Sequence, residues 1–99
     1  MEMKSYKKIE DILKQHKKEL AEKYKIKEIG IFGSYVRGEQ KKRSDIDILV
    51  EYEELPDLLK FIELERYLEG LLKQKVDLVE KTGLRTQLKE KILKETVYI

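Results

Sequence analysis

The residues able to do chemistry in this 99-residue chain are a Gly-Ser pair, an Asp-x-Asp pair and one further aspartate. The stretch from Ile29 to Val50 reads IGIFGSYVRGEQKKRSDIDILV. A first apolar run, Ile29, Ile31 and Phe32, ends at Gly33-Ser34; after ten intervening residues, Asp45-Ile46-Asp47 opens a second apolar run. Strand side chains alternate, so Asp45 and Asp47 project from one face while Ile46, Ile48 and Val50 project from the other. Two carboxylates about 7 Å apart on one strand face can converge on a hard cation, and without a cation they repel. Gly33 removes a Cβ where a strand gives way to a short helix expected over Ser34 to Arg37. Backbone N–H groups can approach a phosphate closely there, and the Ser34 hydroxyl serves either as a helix cap or as a phosphate donor. A Gly-Ser turn or an Asp-x-Asp pair alone is commonplace; the two in this order, each at a strand edge, form a far more specific pattern.

The elements that must position these groups follow from periodicity. Ile9, Leu13, His16, Leu20 and Tyr24 define one stripe of a helix over Ser5 to Tyr24. His16, the only histidine, has no cluster of ligands around it and reads as a packed or edge residue. A strand over Lys27 to Phe32 precedes the Gly-Ser turn, and Gly38 ends the short helix. Glu39 to Ser44 is an exposed loop, whose Lys41, Lys42 and Arg43 are either solvated or in touch with a triphosphate or partner. A second strand runs from Asp45 to Glu51 or Tyr52. Pro56 stands near the start of a third helix, Asp57 to Leu72, with Leu58, Phe61, Leu64, Leu68 and Leu71 facing inward. Gly70 in that helix costs about 1 kcal/mol relative to Ala, which a close helix-on-sheet contact would explain. A third strand, Lys75 to Val79, carries Asp77 among Val76, Leu78 and Val79. Asp77 is either a third carboxylate of the site or a solvent-facing residue of a half-exposed strand. A last helix, Arg85 to Glu95, turns Leu88 and Ile92 inward, and Val97-Tyr98-Ile99 adds a short edge strand or docks on the sheet. The expected fold is α/β (α+β), a small mixed sheet with helices packed on it.

Gly33-Ser34, ten residues, then Asp45-x-Asp47 resembles the signature of the polymerase-beta-like nucleotidyltransferases, and Arg37-Gly38 and Ser44 narrow the likeness to the minimal nucleotidyltransferase domains. The resemblance extends to Val76-Asp77-Leu78-Val79 and to Ile92 through Tyr98. It implies a palm-like nucleotidyltransferase fold, with Asp45, Asp47 and Asp77 as catalytic and metal-binding residues and Gly33, Ser34 and Arg37 at the nucleotide's phosphates. For Arg37, an ion pair with an acid is the open alternative. Two Mg²⁺ ions suit an all-oxygen ligand set, with ATP as the substrate.

Ninety-nine residues make one domain, 1–99, able to bury about two-thirds of its unfolded surface. That length leads us to expect the acceptor from another molecule. The resemblance implies which one: a HEPN-domain ribonuclease toxin, neutralised by AMP transferred from ATP to a tyrosine hydroxyl, with this chain as the antitoxin. Two alternatives stand beside it, a non-catalytic antitoxin acting by occlusion and a transferase acting on a small-molecule hydroxyl such as an aminoglycoside. Charged residues are 42% of the chain and nearly balanced at +2, so no strong field favours nucleic acid or anionic membrane. No apolar stretch is long enough to span a membrane and none resembles a signal peptide, which predicts a cytoplasmic protein. The absence of cysteine excludes disulfides and thiolate chemistry.

Overall fold

The computed structural model describes residues 5–41 and 44–99, so Lys42 and Arg43 of the basic loop lie outside the described residues. Ser5 caps the first helix, α1 (Tyr6–Tyr24), its side chain accepting the Lys8 N–H at 3.2 Å. Ile9, Leu13, Leu20 and Tyr24 are its buried stripe, and His16 sits half-buried with Nδ1 donating to the Ile12 carbonyl at 2.9 Å. Lys25 takes the left-handed conformation and turns the chain into β1 (Ile26–Phe32). After the short α2 (Ser34–Arg37) come β2 (Ile46–Tyr52), α3 (Leu58–Leu72), β3 (Val76–Glu80), one 3-10 turn (Lys81–Gly83), α4 (Thr86–Glu95) and β4 (Val97–Tyr98).

The strands form a mixed sheet in the order β3-β2-β1-β4, with β2 and β3 parallel and the other pairs antiparallel. Register assigns the two faces. Ile31 pairs with Ile48, Ile29 with Val50 and Ile26 with Tyr52, while Ile46 and Ile48 stand beside Val76 and Leu78. All of these are buried in one cluster with Ile9, Leu13, Leu20, Leu64, Leu68 and Leu72 of α1 and α3. A register shift between Ile26 and Glu28 takes Lys27 out of the ladder and brings Ile26 onto the same face as Ile29, as a bulge does. The opposite face carries Gly30, Phe32, Asp47, Leu49, Asp77 and Val79. The site therefore lies on the side of the sheet turned away from the α1–α3 core.

Three packing expectations change. Leu58 and its neighbour Leu59 are 72% and 78% exposed. Adjacent residues point about 100° apart on a helix, so the first turn of α3 stands off the core. Asp57 holds that turn from outside by accepting the Lys60 N–H at 2.8 Å. Leu88 is 52% exposed, and no described residue of α4 is fully buried, which leaves Ile92 and Leu93 as its half-buried contact side. Gly70 faces open space, with nothing within 4 Å of an added Cβ, so no close helix-on-sheet contact explains it. Val97-Tyr98 forms the edge strand, pairing with Ile31 and Gly30.

Candidate active site

Gly33 is where the sheet meets α2, and its backbone is one that only glycine adopts without strain, φ +80° and ψ −151°. A Cβ built there would lie 2.0 Å from Asp47 Oδ2, so the missing side chain also makes room for that carboxylate. The turn and the second strand are thus in direct contact. The Gly33 carbonyl accepts from Val36 and Arg37 at 3.1 and 3.2 Å, and Gly38, in the left-handed conformation, ends the helix after a single turn. The Ser34 and Tyr35 N–H groups belong to that first turn, which has no intrahelical acceptors for them. Ser34 is half-buried beside them.

Asp47 pairs with Phe32 across the antiparallel ladder and with Asp77 across the parallel one. Asp45, two residues earlier, shares its face just ahead of β2. Burial first, then the charges of Asp77 and Asp45, push the Asp47 carboxyl up from 3.8 to about 6; Glu95 adds to this and Arg37 opposes it. Asp47 thus feels both of the other acids expected from the sequence, and the like charges repel. Asp77 is exposed, as the solvent-facing alternative expected, and stands beside Asp47 in the parallel ladder.

Arg37 lies at the same end of the sheet, ion-paired through Nε with Glu39 Oε1 at 2.7 Å and through Nη1 with Glu95 Oε1 at 2.5 Å. Both acids raise its pKa further. Glu95 Oε2 also accepts the Gly33 N–H at 3.0 Å, so that donor, expected at a phosphate, is already engaged. One signal marked Glu95 in advance, an anion in the last turn of a helix, where the helix dipole disfavours it. Gln74 was not anticipated either. Its side-chain amide donates to the Ser44 carbonyl at 2.6 Å and to the Tyr35 hydroxyl, tying the residue before Asp45 to α2. No periodic pattern marks such a residue. Ser44 in turn closes its loop, accepting the Lys41 N–H at 2.7 Å.

The side chains of Asp45, Asp47 and Asp77 offer only carboxylate oxygens, the chemistry of a magnesium site, and the Asp47 carboxyl is raised first by burial and then by the other two acids, against the opposing charge of Arg37. Among the described residues, no three acidic or imidazole side chains are closed into a ligand cluster. The residue types fit a hard cation, and the side chains stand on neighbouring strands about 4.8 Å apart.

Residues 13–99 match the family described as nucleotidyltransferase domain. The chain belongs to that family. Across its whole length the nucleotidyltransferase is 57% identical to a protein adenylyltransferase, MntA, of Thermococcus cleftensis, with both chains fully covered. It is similar to a solved toxin-antitoxin structure with AMP-PNP, at 30% identity and TM-score 0.70, over 93% of this chain and 69% of that one. A second solved structure, a tri-AMPylated HEPN toxin of Shewanella oneidensis in complex with MNT antitoxin, is 26% identical with TM-score 0.67, over 91% of this chain and 70% of that one. The palm-like mixed sheet expected from the motif is thus the fold observed. No helix among the described residues of the nucleotidyltransferase is long and apolar enough to cross a membrane.

Proposed function

We propose that this nucleotidyltransferase is the antitoxin of a toxin-antitoxin pair and transfers AMP from ATP to a tyrosine hydroxyl of a HEPN-family toxin. The observation that carries this reading is that Asp47, two residues after Asp45, stands beside Asp77 in parallel register and against the Gly33 turn. Kinship with an adenylyltransferase and with complexes holding AMP-PNP or an AMPylated HEPN toxin supports the substrate and partner.

In this reading Asp45, Asp47 and Asp77 would hold Mg²⁺. Held there, Mg²⁺ would supply the positive charge that an in-line transfer needs at its attacking and leaving oxygens. Ser34 and the α2 turn hold the β- and γ-phosphates, and Arg37 neutralises them. Asp77 accepts the proton from the tyrosine hydroxyl as its oxygen attacks the α-phosphorus and pyrophosphate leaves. A charge-balanced surface and the absence of a membrane-crossing helix among the described residues support a cytoplasmic location.

The test is to incubate the protein with α-labelled ATP, Mg²⁺ and the toxin encoded beside it. Label is expected on the toxin with wild type and not with Asp47→Ala. A toxin left unlabelled yet still bound and silenced would replace this reading with occlusion.

A further inference from the structure

The Glu95 side chain joins two groups distant from it in sequence, the Gly33 N–H, 62 residues away, and the Arg37 guanidinium, 58 residues away. It is no loose surface acid, since its side chain is 16% exposed. Burial pushes its carboxyl up, but the hydrogen bonds from Arg37 and Gly33 outweigh that and hold it below its usual value, as an anion. Its backbone is fixed as well. The following residue, Thr96, donates its hydroxyl to the Ile92 carbonyl at 2.6 Å, and its Cγ2 occupies the space a Cβ on Gly30 would need, 2.5 Å away. Val97 and Tyr98 then pair with β1.

Arg37 is consequently held by two carboxylates, Glu39 on Nε and Glu95 on Nη1. Among the described residues this leaves the Nη2 donors for a phosphate. We infer that Glu95 is a positioning residue for nucleotidyl transfer, fixing the Gly33 turn and the Arg37 guanidinium relative to one another so that both meet the triphosphate in one arrangement. The inference rests on the transferase reading above. A carboxylate gripping a backbone N–H and a guanidinium at once removes the side-chain freedom that nucleotide binding would otherwise have to freeze. The alternative, that Glu95 merely fills an anion site until a phosphate displaces it, predicts the opposite effect on affinity.

The experiment compares wild type, Glu95→Gln, Arg37→Ala and the double variant in the full chain, by calorimetric binding of a non-hydrolysable ATP analogue with Mg²⁺ and by KM and kcat for AMP transfer. Glu95→Gln keeps the shape and an acceptor for Gly33 but loses the charge on Arg37. It is expected to bind the analogue about tenfold more weakly and to raise KM about tenfold, with kcat changed less than about threefold. In the Arg37→Ala background the same substitution should cost less than about twofold, because the group it orients is gone. Glu95→Gln binding as well as or better than wild type, or a loss that adds in full to Arg37→Ala, overturns the inference. A wild type that binds the analogue but modifies no toxin defeats the transfer reading alone, and the binding comparison still decides Glu95. A wild type that binds no analogue overturns both.

Discussion

Asp47 and Asp77 stand opposite one another in parallel register on β2 and β3, on the face turned away from the α1–α3 core. Like charges so placed cost stability unless a cation lies between them. Asp47→Asn is therefore predicted to stabilise the metal-free protein at pH 7.5 by about 1 kcal/mol, the expected shift being discounted for a half-exposed carboxyl. It should also abolish AMP transfer. Urea denaturation in the presence of a chelator checks the first outcome, and a less stable Asn variant would contradict it.

The pH dependence of the same residue has a definite sign. Its folded-state carboxyl titrates at about 6 against 3.8 ordinarily, with burial the leading cause. Between those values the native state binds the proton more tightly than the unfolded chain, so Asp47's contribution to unfolding free energy falls as pH rises through that window. The difference in stability between Asp47→Asn and wild type should grow from pH 4 to about pH 6.5 and then level off. A difference independent of pH would show that Asp47 is not the buried, crowded acid described here.

Gly33→Ala meets two obstacles, a positive φ and the Asp47 carboxylate 2.0 Å from the new methyl group. A loss of about 2 kcal/mol in stability is expected, with transfer reduced about a hundredfold because Asp47 must shift. Thermal melting and steady-state rates measured together decide the matter; an alanine variant with wild-type rate would mean that the turn tolerates displacement.

Gly70→Ala is the opposite case. Nothing lies within 4 Å of its Cβ position, and α3 continues through it. The substitution should raise stability by about 0.5–1 kcal/mol and leave AMP transfer unchanged. A destabilised variant would reveal a contact that the geometry does not contain.

Much of the site was legible in the sequence because strand alternation has a fixed period. Asp45, Asp47 and Asp77 had to share a face once Ile46, Ile48, Val76 and Leu78 were assigned to the core, and register then brought Asp47 beside Asp77. Arg37 was left between phosphate and ion pair; the structure shows the ion pair, with two acids. Periodicity says which way a helical residue points but not how far the opposing sheet extends, so Leu58 and Leu88 were assigned inward although both are exposed. Glu95 and Gln74 act through contacts between residues 30 or more apart in sequence, and no local pattern encodes those.

The most direct test of the central claim is the intact mass of the neighbour-encoded toxin after co-expression with wild type and with the Asp45→Ala, Asp47→Ala double variant. The account predicts one or more added AMP units with wild type, located on tyrosine by fragmentation, and an unmodified toxin with the double variant. An unmodified toxin in both, neutralised equally by both, would contradict it.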